Sequence, residues 1–90
     1  MQNTKEFTKF ELTAEAGTQS YKGILKFQDL KSAMEYAYNR AWNLYGEAAS
    51  NGQFPTIFDY YEKGMTYEEA IDTFTKSMRE NVKYTAVPCE

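Results

Sequence analysis

Ninety residues leave room for one domain, and a chain that is 42% hydrophobic and 17% aromatic, with eight Tyr, six Phe and one Trp, has too much apolar surface to stay disordered. A net charge of −3 with no basic run disfavours direct binding to phosphate backbones, and no apolar stretch approaches the roughly 20 residues that span a bilayer. One cysteine, Cys89, excludes an internal disulfide; together with the polar start Met1-Gln2-Asn3-Thr4-Lys5-Glu6, it favours a reducing, cytoplasmic setting.

The first predicted element is a strand from Phe7 to Ala16. Phe10, Leu12, Ala14 and Ala16 point one way, while Lys9, Glu11, Thr13 and Glu15 point the other. Gly17-Thr18-Gln19 reads as a turn into a second strand, Ser20 to Phe27, with Tyr21, Gly23, Leu25 and Phe27 on one face. The hairpin thus has an apolar face and a solvated face of mixed charge.

Asp29 offers an N-cap, and Leu30, Ala33, Met34, Ala37, Ala41, Leu44, Tyr45 and Ala48 follow at helical spacing until Asn51-Gly52. Thr56 with Asp59 predicts a cap for a short helix from Ile57 to about Lys63. The β-branched and aromatic content of Ile57 to Tyr61 leaves a strand as the alternative there. Gly64 ends that segment, and Thr66-Tyr67-Glu68-Glu69 is a capping box for a last helix expected to bury Tyr67, Ala70, Ile71, Phe74 and Met78. Val82 to Val87 reads as a third strand closed by Pro88. The expected fold is α+β, in the order β-β-α-α-α-β: a three-stranded antiparallel sheet with helices on one face. Residues 1–90 form one domain, with 1–5 and 88–90 expected as flexible tails.

The charge is unevenly spread. Residues 28–72 carry three basic and eight acidic groups, a net of −5, densest from Asp59 to Asp72, and the segments on either side are each +1. No chemistry-bearing constellation accompanies it. The chain has no histidine, so the commonest general base and metal ligand is absent, and Cys89 has no imidazole partner. The five glycines are isolated, with no phosphate-cradling loop, and neither zinc-ligand nor Ca²⁺-loop spacing occurs. No catalysis, cofactor or metal is expected.

Binding residues are therefore sought on the surface. Asp59-Tyr60-Tyr61-Glu62, continued by Glu68, Glu69 and Asp72, would make an acidic surface with tyrosines in it, which is the chemistry of an interface hot spot facing a basic partner. The same acids also suit two helix N-termini, and one of the tyrosines could be core. Tyr36 lies opposite the apolar stripe of the long helix, while Tyr38 and Trp42 flank it, either as part of a binding patch or packed on Phe54, Phe58 or the last helix. The lysines at 9, 22, 26 and 83 lack the interleaved aromatics of a nucleic-acid platform and read as a solvated sheet face. Cys89 reads as a passive tail residue.

The expectation is a small acidic, tyrosine-rich inhibitor or adaptor, monomeric or homodimeric. It would dock on a basic protein surface, such as the nucleic-acid channel of a host enzyme, in the manner of a mobile-element inhibitor of a defence nuclease; that comparison is one of type alone. The alternative is a self-assembling structural or regulatory module using its open sheet edges.

Overall fold

The computed structural model describes residues 7–89. The elements follow the order β1 (Thr8–Ala16), β2 (Gln19–Phe27), α1 (Leu30–Ser50), α2 (Ile57–Glu62), α3 (Tyr67–Asn81) and β3 (Val82–Pro88). The three strands form one antiparallel sheet in the order β2-β1-β3, so the first strand is the central one.

The hairpin closes through a two-residue turn at Gly17-Thr18, where Gly17 has φ +60°, a conformation that glycine adopts without a Cβ penalty. Phe10, Leu12, Ala14 and Ala16 are all buried on one face of β1, as the alternation requires. On the opposite face the rows Ile24-Glu11-Val87, Lys22-Thr13-Thr85 and Ser20-Glu15-Lys83 run across the sheet. Lys22 Nζ lies 3.4 Å from Glu11 Oε2, an exposed pair of small energetic weight. The Thr13 and Thr85 hydroxyls hydrogen-bond across the strands.

α1 covers the buried face of the sheet with a row of alanines, Ala33, Ala37, Ala41 and Ala48, all fully buried. Small side chains let the helix axis come close to the strands. The helix starts where Asp29 Oδ1 accepts the Ser32 N–H at 2.8 Å. It ends in a Schellman motif, with Gln53 N–H donating to Ala48 C=O, Gly52 N–H donating to Ala49 C=O and Gly52 at φ +87°. Leu30, expected in the apolar stripe, is instead exposed at the first position of the helix.

α2 and α3 pack on each other and on the C-terminal half of α1 rather than on the sheet. Their core joins Tyr45, Ala49, Tyr60, Ala70, Phe74 and Met78 to Ala16 at the sheet's end. Tyr45 stacks on Phe54 at 4.6 Å, meets Phe74 edge-on at 5.1 Å, and hydrogen-bonds through its hydroxyl to Ser77. Burial raises the Tyr45 pKa, with the Ser77 hydrogen bond opposing and Tyr60 adding to the rise.

Two further expectations are corrected here. Tyr67 is 67% exposed rather than buried, since it sits at the first position of α3, before that helix reaches its partners. Pro88 and Cys89 extend the sheet rather than forming a flexible tail: Pro88 pairs with Phe10, and the Cys89 N–H donates to Lys9 C=O at 2.8 Å. The expected tail at 1–5, like Glu90, lies outside the described residues.

Candidate functional site

The candidate site is built on α2 and the start of α3. α2 is a helix because its first turn is locked by a reciprocal box. The Thr56 N–H donates to Asp59 Oδ2 at 2.8 Å, and the Asp59 N–H donates to Thr56 Oγ1 at 3.2 Å. Its exit is a second Schellman motif, with Met65 N–H to Tyr60 C=O, Gly64 N–H to Tyr61 C=O and Gly64 at φ +92°. α3 repeats the box, with Thr66 N–H to Glu69 Oε1 at 2.9 Å and Glu69 N–H to Thr66 Oγ1 at 3.2 Å.

These local bonds sort the sequence-predicted residues. Asp59 and Glu69 are exposed, but their carboxylates are engaged as caps. Glu62, Glu68 and Asp72 are exposed and stand in no such box. Tyr60 is only 6% exposed; its ring sits in the core, with Lys63 Nζ 5.9 Å above it, so it offers a partner nothing while the fold is intact. Tyr61 faces outward.

The other two aromatics lie elsewhere. Trp42 is half-buried and stacks on Phe74 at 5.8 Å, as a core-edge residue would. Tyr36, expected to stand free, is half-buried: its ring lies 5.6 Å from Phe27, and its hydroxyl accepts from Arg40 Nη2 at 3.2 Å. That hydrogen bond raises the Arg40 pKa further, and the guanidinium also lies 4.3 Å over the Tyr21 ring. Tyr36 therefore belongs to a clamp between α1 and β2. Tyr38 packs edge-on against Tyr84 at 5.5 Å.

Phe58, which enters the sequence analysis only as one possible packing partner of Tyr38 and Trp42, is the most exposed large apolar side chain among those described. Phe58 is 75% exposed and touches Tyr61 in a T-shaped contact at 6.2 Å. The signal was present as two interleaved i, i+3 pairs: Ile57 and Tyr60 turn inward, while Phe58 and Tyr61 turn outward. Beside Phe58, an apolar groove of about 250 Å³ runs between α1 (Gly46, Ala49, Ser50) and α2 (Thr56, Ile57), with Phe74 of α3 also lining it. Gly46 forms an open part of that floor, with no atom near the place a Cβ would occupy. On the other side of α2, a shallow cleft of about 450 Å³ is lined by Phe54, Pro55, Asp59, Glu62 and Lys63, among others.

The α2–α3 stretch from Ile57 to Asn81 carries six acidic and three basic side chains, against two acidic and four basic on the outer face of the sheet. The molecule therefore presents an acidic helical end with exposed rings and a mildly basic sheet face. Among the described residues, no carboxylate is buried and no three acidic or thiol side chains converge as a metal cluster. No helix among them is long and apolar enough to cross a membrane. No protein-family model, curated protein or solved structure matches the chain.

Proposed function

We propose that this chain is a non-catalytic binding domain. The α2–α3 end docks on a basic surface of another protein, with Phe58 and Tyr61 as anchors and Glu62, Glu68 and Asp72 steering the approach. The observation that carries this reading is Phe58, a ring held three-quarters exposed on a helix whose two ends are both pinned by hydrogen bonds. A preorganised, solvent-facing aromatic loses little conformational entropy on binding, and its burial is a strong driving term. The surrounding acids favour a positively charged partner and a fast encounter. Nucleic-acid-processing enzymes present such surfaces, so an inhibitor or adaptor of one is the form of partner we favour.

A pull-down from host lysate, with and without nuclease treatment, tests this. The prediction is a basic protein retained equally after nuclease treatment and lost with the double variant Phe58→Ala/Glu62→Lys. Glu62 is a better choice than Asp59, whose replacement would also remove the cap of α2. Retention of the same protein by the double variant would refute the proposed surface.

A further inference from the structure

We propose that β2 is a homodimer seam, at which a second copy of this chain adds its own β2 antiparallel to the first and extends the sheet from three strands to six. Among the described residues, β2 has a neighbour on one side only. It is nine residues long, in unbroken register with β1, and contains no proline. A long, regular edge without proline is a template for a further strand, and Lys22 and Lys26 are the charges along it that such pairing has to accommodate. The other edge, β3, has seven residues and ends in Pro88.

The turn fixes which backbone groups are free. Gly17-Thr18 closes on the pair Ala16–Gln19, and narrow and wide pairs alternate from there along an antiparallel ladder. Gln19, Tyr21, Gly23, Leu25 and Phe27 therefore direct their N–H and C=O groups at β1. Ser20, Lys22, Ile24 and Lys26 direct theirs outward.

The side chains of this edge complement a second copy of themselves. A two-fold axis at Gly23 overlaps all nine residues and pairs the four outward-directed residues with one another. It sets Lys22 opposite the partner's Ile24, Ser20 opposite the partner's Lys26, and Tyr21 opposite the partner's Leu25. No like charges face each other directly. Ile24, 58% exposed in the single chain, stands opposite the partner's Lys22, whose ammonium reaches Glu11 of its own sheet in the single chain. Leu25, also exposed, stands opposite the partner's Tyr21, whose ring lies under Arg40 of its own chain. Moving the axis to Ile24 would set Lys22 against the partner's Lys26, and moving it to Lys22 would set that residue against itself.

Sedimentation velocity over a micromolar concentration series tests the seam, using the wild type, Ile24→Pro and Ile24→Lys. The Ile24 N–H points away from β1, so proline there removes no bond of the hairpin and blocks the dimer alone. The lysine variant sets two Lys–Lys pairs across the seam at an exposed position; at roughly 0.2–1 kcal/mol each, this weakens the dimer by about 2- to 30-fold. The expected result is a wild-type dimer, a monomeric Ile24→Pro with an unchanged far-ultraviolet circular dichroism spectrum, and a weakened Ile24→Lys. If Ile24→Pro unfolds, Ile24→Lys carries the test by itself. A wild type that stays monomeric, or a dimer whose constant Ile24→Lys leaves unmoved, overturns the proposal. Phe58→Ala should leave the dimer unchanged, which separates this seam from the partner surface on α2.

Discussion

Replacing Phe58 and Tyr60 by alanine, one at a time, should have opposite consequences although the two residues are neighbours but one. Burying a phenylalanine fully is worth about 1.5–3 kcal/mol. Phe58 keeps about a quarter of that benefit, since it is 75% exposed, so its removal costs roughly 0.4–0.8 kcal/mol. Alanine's better helix propensity returns a few tenths, which leaves a net change within about 0.5 kcal/mol. Tyr60 is 6% exposed and packed with Tyr45, Ala70 and Phe74, so its truncation opens a cavity and costs about 3–5 kcal/mol, as for other large buried rings. Guanidinium unfolding followed by circular dichroism measures both, with the slope of the transition checked for constancy. Binding should reverse the order: Phe58→Ala, a near-silent change for stability, should weaken the partner complex by about 2 kcal/mol, roughly 30-fold. A Phe58→Ala loss above about 2 kcal/mol of stability, or a Tyr60→Ala loss below about 1, would mean that α2 is rotated from the orientation described, and the site would fall with it.

Three other substitutions probe the surroundings. Gly46→Ala should stabilise the fold by up to about 1 kcal/mol in thermal or chemical unfolding, because the new methyl meets open space and glycine is a poor helix residue; a destabilised variant would mean that the floor of the groove is closed. Asp59→Ala should cost about 0.5–2 kcal/mol through loss of the α2 cap, whereas Glu62→Ala should leave stability within about 0.5, and equal losses would contradict the capping role. The Tyr45 pKa is raised in the folded state, so folding favours its neutral form. That contribution is present below the unfolded tyrosine value of about 10 and is lost as pH climbs from there through the folded value. Unfolding measured at stepped alkaline pH should therefore show a flatter decline for Tyr45→Phe than for the wild type; parallel declines would refute the assignment.

The order and type of every element were legible in the sequence because several local signals agreed. β1 alternates, the hairpin turn carries glycine at the one position with positive φ, and both short-range boxes, Thr56/Asp59 and Thr66/Glu69, formed as spelled out. At α2 the capping box and the glycine exit overrode the β-propensity of Ile57 to Tyr61. The facing of single side chains was less legible. A helix of six residues is too short for its periodicity to mark one apolar stripe, so the choice between Tyr60 and Phe58 for the inward position rested on contacts with Ala70 and Phe74, which lie distant in sequence. Tyr36 looked free on a helical wheel, but the wheel ignores the width of the sheet: Phe27 at the end of β2 reaches the side of α1 and covers the ring. Leu30 and Tyr67 fit their stripes but stand at the first position of their helices, where both are exposed.

The most direct test of the proposed binding surface is site-specific photocrosslinking in nuclease-treated cell lysate, with a photoreactive phenylalanine analogue placed in turn at Phe58, Tyr61, Phe27 and Val87. Crosslinks from positions 58 and 61 to one basic protein, with none from 27 or 87, are the predicted result. Crosslinks from position 87 on the sheet face, with 58 and 61 silent, would contradict it and move the binding site off α2.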